Sequence, residues 1–164
     1  MNNLVKVGDL FEVCYGINLE LVHLEQCDAN DAEAIYFVSR TEKNNGVSAI
    51  VMKRHDLTPN PGHSISVAGS GSVLSCFYQR LPYYSGRDLY ILLPKKEFSV
   101  TEMLFYAYCL QMNKYKYNYG RQANRTLKDI LIPAEMPSPF KGIEKKVLDL
   151  VEHTIQNDLP KLSR

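Results

Sequence analysis

The sequence lacks the paired cysteines from which a zinc site of ordinary spacing is built. Its four cysteines, Cys14, Cys27, Cys76 and Cys109, each stand alone among the 164 residues. Structural zinc sites usually take two ligands from one short Cys-x-x-Cys motif. Because the surroundings of the four are apolar, we expect reduced, buried thiols. The sequence predicts no metal site and no cofactor.

Long hydrophobic runs are also missing. No stretch approaches the roughly 20 apolar residues of a membrane span, and the first residues do not resemble a secretory signal. We therefore expect a cytoplasmic protein without a membrane partner. The formal net charge is only +1. This value excludes a uniformly basic nucleic-acid binder, but it leaves room for a local basic patch.

Charge is in fact distributed unevenly along the chain. The first 35 residues hold seven acidic side chains against Lys6 alone. Residues 114–128 contain lysines and arginines and no acid. Such asymmetry is informative about binding partners rather than about fold.

The distribution of β-branched and aromatic residues predicts a mixed α+β domain. Predicted strands cover residues 34–38, 47–52, 64–68, 73–78 and 89–93, separated by turn clusters at 43–46, 58–62, 69–72 and 85–88. A capping box of Ser99 and Glu102 opens a predicted helix over about residues 100–112. We expect a compact domain at 1–135, with a mixed, twisted β-sheet and flanking helices.

A second helix is predicted at 139–162, where apolar residues recur every three or four positions. The stripe consists of Phe140, Ile143, Val147, Val151 and Ile155. A terminal amphipathic helix either folds back onto the core or pairs with a partner helix. The periodicity leaves both alternatives open.

The segment 113–126 has the composition that DNA recognition requires. It contains Lys114, Lys116, Tyr117, Tyr119, Arg121, Gln122, Asn124 and Arg125. Lysine and arginine neutralise phosphates, arginine can bind guanine through two hydrogen bonds, and glutamine or asparagine can bind adenine likewise. The alternative interpretation is a solvated, tyrosine-rich loop that packs on its own helix.

Several motifs resemble catalytic signatures but lack essential parts. The glycine-serine segment 69–72 has no Gly-Lys-Ser/Thr ending and is better explained as a tight turn, although its amides suit a phosphate. Residues 81–84 lack the acid or amide of an amino-methyltransferase motif. Glu144-Lys-Lys lacks the upstream partner of a nuclease site, and the histidines are scattered. We therefore expect no catalysis by this chain.

Arg87 and Asp88 admit two interpretations of equal weight. They form an internal ion pair that orders the turn, or Arg87 points at DNA while Asp88 orients it. The residues alone do not decide between them.

The ordered set of segments resembles the target recognition domain of type I restriction-modification specificity subunits and the related type IIB recognition subunits. The similarity spans about residues 5 to 135. The matching pieces are 7–13, 36–41, 44–47, 64–68, 77–79, 83–90, 113–127 and 132–133.

The resemblance implies an α+β recognition domain followed by a spacer-type helix. A full specificity subunit alternates two such domains with two helices, whereas this sequence contains one of each. It therefore resembles a half subunit, a one-domain recognition subunit or an excised domain. A half subunit can dimerise through the tail stripe, and twofold symmetry then implies a palindromic target.

The resemblance also implies recognition of double-stranded DNA for a separate methyltransferase subunit, and possible association with a restriction subunit. That methyltransferase binds adenosylmethionine and takes an adenine out of the stack. Arg121, Gln122 and Arg125 are the candidates for base contacts, with Gln79, Tyr83, Tyr84 and Arg87 in support. The alternative is a protein-interaction module that docks subunits through the tail helix without binding DNA.

Substitutions in the basic segment test these assignments. We expect Arg121→Ala to weaken binding to the specific site by roughly 1–3 kcal/mol, because a base contact is lost. Lys116→Ala should weaken binding to all duplexes about equally. Titration of specific and unrelated duplexes measures both effects. An Arg121→Ala protein with unchanged affinity and preference would contradict the assignment.

Overall fold

The computed structural model of the chain describes residues 3–117 and 126–141. Within them the strands are β1 (Leu4–Lys6), β2 (Phe11–Tyr15), β3 (Ala34–Val38), β4 (Val47–Met52), β5 (Ser64–Ala68), β6 (Cys76–Gln79), β7 (Tyr83–Ser85), β8 (Leu89–Pro94) and β9 (Leu131–Pro133). The α-helices are α1 (Val7–Leu10), α2 (Val100–Gln111) and α3 (Ser138–Lys141).

These strands form three sheets. The largest is antiparallel in the order β2-β8-β5-β6. The second has the order β4-β3-β7 and is mixed, because β3 pairs antiparallel with β4 and parallel with β7. The third joins β1 to β9. The predicted α+β class is confirmed, with the strands divided among three sheets.

Predicted and observed strands agree best where five or six residues share a regular pattern. β3, β4 and β5 have the predicted bounds, and β8 is one residue longer. β6 begins at Cys76 rather than at residue 73, because Leu74 has a φ of 57° and its amide bonds to Ala68 within the turn. The strands β1, β2, β7 and β9 were not predicted. Three of them have only three residues, too few to show an alternating pattern.

Helix α2 begins as its capping box predicts. Ser99 Oγ accepts a hydrogen bond from the Glu102 amide at 3.2 Å, and Glu102 accepts one from the Ser99 amide at 2.8 Å. Its inner face packs on the largest sheet. The main core contains Val7, Phe11, Ile65, Val67, Leu74, Cys76, Leu92, Phe98, Met103, Tyr106, Ala107, Leu110, Leu127, Ile130 and Ile132. Burial of each large apolar side chain contributes about 1.5–3 kcal/mol.

Buried polar groups join the two larger sheets. The Asn60 side chain accepts a hydrogen bond from the Ile17 amide at 3.1 Å and donates one to Ser85 Oγ at 2.9 Å. Ser85 Oγ in turn donates to the Ile17 carbonyl at 2.8 Å. The Asn60 backbone pairs with Tyr83. The loop after β2 is therefore connected to β7 through the buried side chains of Asn60 and Ser85.

The beginning of the predicted tail helix is present as α3. Phe140 is about half exposed, and its ring centroid lies 5.9 Å from that of Phe105 on α2. Ile143, Val147, Val151 and Ile155 lie outside the described residues, so both predictions for the tail stay predictions. No helix among residues 3–117 and 126–141 has the length and apolar character needed to cross a membrane.

The four cysteines are free thiols, as expected, but only Cys76 is buried. Burial raises the pKa of the Cys76 thiol. Cys14, Cys27 and Cys109 are partly exposed. The expectation of burial for all four was therefore wrong for three of them: Cys14 lies in β2, Cys27 in the loop before β3 and Cys109 in α2. Apolar neighbours in the sequence do not determine which side of a strand or helix a side chain occupies.

The join between the sheets gives a stability prediction. We expect Asn60→Ala to lower the free energy of unfolding by about 2–4 kcal/mol, because the Ile17 amide and Ser85 hydroxyl lose a buried partner. Denaturant unfolding measures the change. Asn30→Ala is the matched control: Asn30 lies in an exposed turn, so its loss should change stability by less than about 0.5 kcal/mol. Equal effects of the two substitutions would contradict this account.

Candidate nucleic-acid interface

One face of the molecule is built from the loops at a single end of the sheets. Strands β3, β5 and β7 end there, β4, β6 and β8 begin there, and the C-terminus of α2 lies beside them. We call this face the loop end and define it as residues 16–20, 39–46, 69–75, 86–88 and 112–117. Its loops contact one another: the Leu19 amide bonds to the Ser85 carbonyl at 3.0 Å and the Gly86 amide to the Val38 carbonyl at 2.9 Å.

Cations outnumber acids at the loop end by five to three. The cations are Arg40, Lys43, Arg87, Lys114 and Lys116, and the acids are Glu20, Glu42 and Asp88. Each acid forms an ion pair with a cation from another segment: Arg87 with Glu20, Arg40 with Asp88 and Lys114 with Glu42. The face therefore has a positive excess, and three of its five cations, Arg40, Arg87 and Lys114, are paired with acids from other segments.

Asp88 is the most constrained of these acids. Its carboxylate accepts hydrogen bonds from Tyr15 at 3.1 Å, Ser70 at 2.8 Å and Arg40 at 2.9 Å. Its amide donates to the Tyr15 hydroxyl at 2.9 Å, and its φ is 53°. The Ser70 hydrogen bond, with those from Tyr15 and the charge of Arg40, holds the pKa of Asp88 below its ordinary value of 3.8.

Neither interpretation of Arg87 and Asp88 describes the observed contacts. Arg87 hydrogen-bonds to Glu20 and acts on Asp88 only through its charge. The arginine that Asp88 orients is Arg40, which lies 48 positions away in the sequence. Glu20 belongs to the acidic N-terminal stretch, so that stretch supplies a counter-charge to the loop end.

The first part of the basic segment forms contacts with its own neighbours and with the loop after β3. Lys114 Nζ lies 2.7 Å from a Glu42 carboxylate oxygen, and this hydrogen bond lowers the pKa of Glu42. Lys116 Nζ donates to Asn113 at 2.6 Å. The Tyr117 hydroxyl and the Thr126 hydroxyl are 2.9 Å apart. Tyr119, Arg121, Gln122, Asn124 and Arg125 lie outside the described residues, and their predicted role stays a prediction.

Three of the predicted supporting residues are interior. Tyr83 is buried, which raises its pKa to about 12. The buried Tyr84 hydroxyl accepts from the Arg54 amide at 2.9 Å and donates to the Arg54 carbonyl at 3.2 Å. Gln79 is buried and donates to the Asn45 carbonyl and Ser66. As placed, these side chains have no surface to offer a duplex, and we remove them from the candidate interface.

Arg40, Lys43 and Asn45 are loop-end residues that the sequence patterns did not single out. Arg40 follows β3 directly, and residues 43–46 were assigned only as a turn. The available signal was the position of polar and basic residues immediately after a predicted strand, where loops place functional side chains. The glycine-serine segment is a tight turn, as preferred, with Gly71 at a φ of 66° and Ser70 bonded to Arg40. Its proposed contact with a phosphate is untested.

The candidate interface contains no arrangement typical of a metal centre. Over residues 3–117 and 126–141, no three His, Cys, Asp or Glu side chains are grouped so as to hold a metal ion.

Comparison with known proteins identifies one family. A family described as type I restriction modification DNA specificity domain matches residues 2–149. A search of curated protein sequences finds no significant match.

Solved structures share the fold at low identity. The type I restriction-modification S subunit from M. genitalium aligns with a TM-score of 0.64 and 16% identity over 98% of this chain and 41% of its own. A chain from a study of type I restriction-modification complex assembly aligns with a TM-score of 0.63 and 13% identity, over 98% of this chain and 41% of its own. The HsdS subunit from Thermoanaerobacter tengcongensis aligns with a TM-score of 0.59 and 12% identity, over 94% of this chain and 38% of its own. The chain thus spans about two fifths of the length of these structures.

The depressed pKa of Asp88 predicts a pH effect. A carboxyl whose pKa is lower in the folded state stabilises the fold above its unfolded pKa and loses this contribution as the pH falls through the folded value. We expect Asp88→Asn to be less stable than wild type at pH 7, with the difference shrinking below about pH 3.8. Thermal unfolding between pH 7 and pH 3 measures it, with the exposed Glu33→Gln as control. A difference that persists unchanged at pH 3 would contradict the account.

Proposed function

The chain belongs to the type I restriction-modification DNA specificity domain family, and from this we propose that it recognises a double-stranded DNA sequence for a separate methyltransferase subunit. The observation that carries the proposal is the family match over residues 2–149. The excess of cations at the loop end supports it, because a family assignment alone does not locate a binding site.

The loop end has the chemistry that a duplex requires. Exposed lysines and arginines bind phosphates and release counterions, while side chains that enter the major groove distinguish the base pairs. The pairs of Arg87 with Glu20 and Lys114 with Glu42 involve substantially exposed side chains. Such pairs contribute only about 0–1 kcal/mol, so phosphate oxygens can replace the carboxylates at little cost.

Recognition and chemistry are divided between subunits in this proposal. The domain at 1–135 binds DNA, and the segment 139–162, for which the sequence predicts a helix, docks a methyltransferase subunit or a second copy of the chain. Methylation requires that the target adenine leave the stack; this step and adenosylmethionine binding belong to the methyltransferase. The chain itself is non-catalytic and acts in the cytoplasm. A restriction subunit is a further possible partner of the assembled complex.

A protein-interaction role is the second candidate, and one surface favours it. Leu104 and Tyr108 on α2 and Met112 at its C-cap lie four positions apart and are exposed. Because residues four apart share a helix face, they form an apolar stripe on the side away from the core. This stripe is suited to a protein partner, whether or not the chain also binds DNA.

Salt dependence separates the two candidates. If about five phosphates are contacted, log affinity should fall with log salt concentration at a slope of about −4 to −5. Titration of a fluorescent duplex with the purified chain at several salt concentrations measures the slope. Incubation with adenosylmethionine or magnesium, without partners, should leave the DNA unmodified.

A flat salt profile would contradict DNA recognition and favour the interaction module. Copurification of a methyltransferase subunit, measured in parallel, is expected under either candidate. It therefore tests the assembly and not the contact with DNA.

A further inference from the structure

We propose that Arg40 recognises a guanine in the DNA target and that Asp88 is the positioning residue that orients it. This inference rests on the proposed function, which it refines by naming a specificity-determining contact. Arg40 is not among the site residues predicted from the sequence.

The hydrogen bonds of the Arg40 guanidinium leave one complete edge open. Among the described residues, Nη1 alone donates, to Ser70 and to Asp88. The Nε and Nη2 groups form the other edge of the planar fork, and the side chain is 40% exposed. Two parallel donors on one edge match the O6 and N7 acceptors that guanine presents in the major groove. No described residue accepts a hydrogen bond from this pair of donors.

Asp88 is held more firmly than an ordinary surface carboxylate. Tyr15 contacts both its carboxylate and its amide, and Ser70 donates to the oxygen that also binds Arg40. The Tyr15 ring packs edge-on against Tyr90, with centroids 5.2 Å apart. Arg40 is therefore oriented through contacts with β2 and with the loops after β5 and β7. A side chain oriented before binding loses less conformational entropy on contact.

Arg54 is a useful comparison, because both donors on the corresponding edge of its guanidinium already have a partner within the protein. It also pairs with an aspartate and has similar exposure, but its Nε and Nη2 groups both donate to Asp56. Its bidentate edge is thus already used. Arg54 follows β4, outside the loop end, and provides a matched control for the loss of one guanidinium.

Lys43 provides a control within the loop end itself. It carries one positive charge on the same face, and its side chain has no orienting partner among the described contacts. Loss of Lys43 should reduce attraction to phosphates without changing base preference.

Selection of bound duplexes from a randomised pool tests the assignment. The full chain, Arg40→Gln, Arg40→Met, Asp88→Asn, Arg54→Gln and Lys43→Gln are each used to select sequences, and affinities for the wild-type site are then measured. We expect both Arg40 variants to lose guanine at one position of the site, with roughly 10- to 100-fold weaker binding to it. Arg40→Gln should admit adenine there, since glutamine can bind its N6 and N7.

In Asp88→Asn, Arg40 is intact but less firmly oriented. We expect this variant to select guanine less strictly at the same position of the DNA site. Arg54→Gln should leave preference and affinity unchanged. Lys43→Gln should weaken all duplexes equally. Thermal unfolding of each variant identifies any that fails to fold. Because Asp88→Asn keeps the arginine, it tests the assignment even if both Arg40 variants are unstable.

The possible failures are distinguishable. A wild-type chain that selects no sequence overturns the proposed function and this assignment with it. A wild-type chain that selects a sequence which folded Arg40 or Asp88 variants also select, with the same stringency at every position, overturns this assignment alone.

Discussion

The buried side chains of Asn60 and Ser85, which hydrogen-bond to each other and to the backbone of Ile17, connect the two larger sheets. Neither sheet is large, and each needs the other elements to bury its apolar face. An unsatisfied buried polar group costs about 1–3 kcal/mol, so the groups at this junction strongly favour one relative placement. That placement brings the ends of β3, β5 and β7 to one side, and the loop end exists because of it.

Electrostatics at the loop end follow from this geometry. The chain is close to neutral overall, and its acids are concentrated in the first 35 residues. The fold brings Glu20 from that stretch to Arg87, while Glu42 and Asp88 partner Lys114 and Arg40. These paired cations lie at the surface, and their acidic partners keep the net charge of the loop end small. In the proposed complex with DNA, phosphates can replace the carboxylates, because exposed ion pairs are weak in water.

The family assignment concerns the fold, whereas the loop end concerns which side chains are available for binding. Identities of 12–16% accompany TM-scores of 0.59–0.64, so the fold tolerates extensive sequence change as long as the core pattern is kept. In a protein that reads DNA, by contrast, the choice of base depends on a few exposed groups and on their orientation at the scale of single hydrogen bonds. The Arg40–Asp88 pair illustrates this dependence. Asp88 binds Nη1 of Arg40, and the proposed contact with guanine uses the opposite edge of the guanidinium, formed by Nε and Nη2.

The sequence by itself was sufficient for features that depend on neighbours in the chain. It determined α2 through the capping box of Ser99 and Glu102, the strands β3, β4 and β5 through their composition, and the family through an ordered set of segments. Only the tertiary structure decided which residues of the candidate site are accessible. In the folded protein Gln79, Tyr83 and Tyr84 are buried, although their side chains carry groups suited to DNA contacts. Asp88 pairs with Arg40 rather than with adjacent Arg87. The physical reason is that capping and strand propensity act over a few residues, whereas burial and ion pairing depend on strands that meet only after the chain has folded.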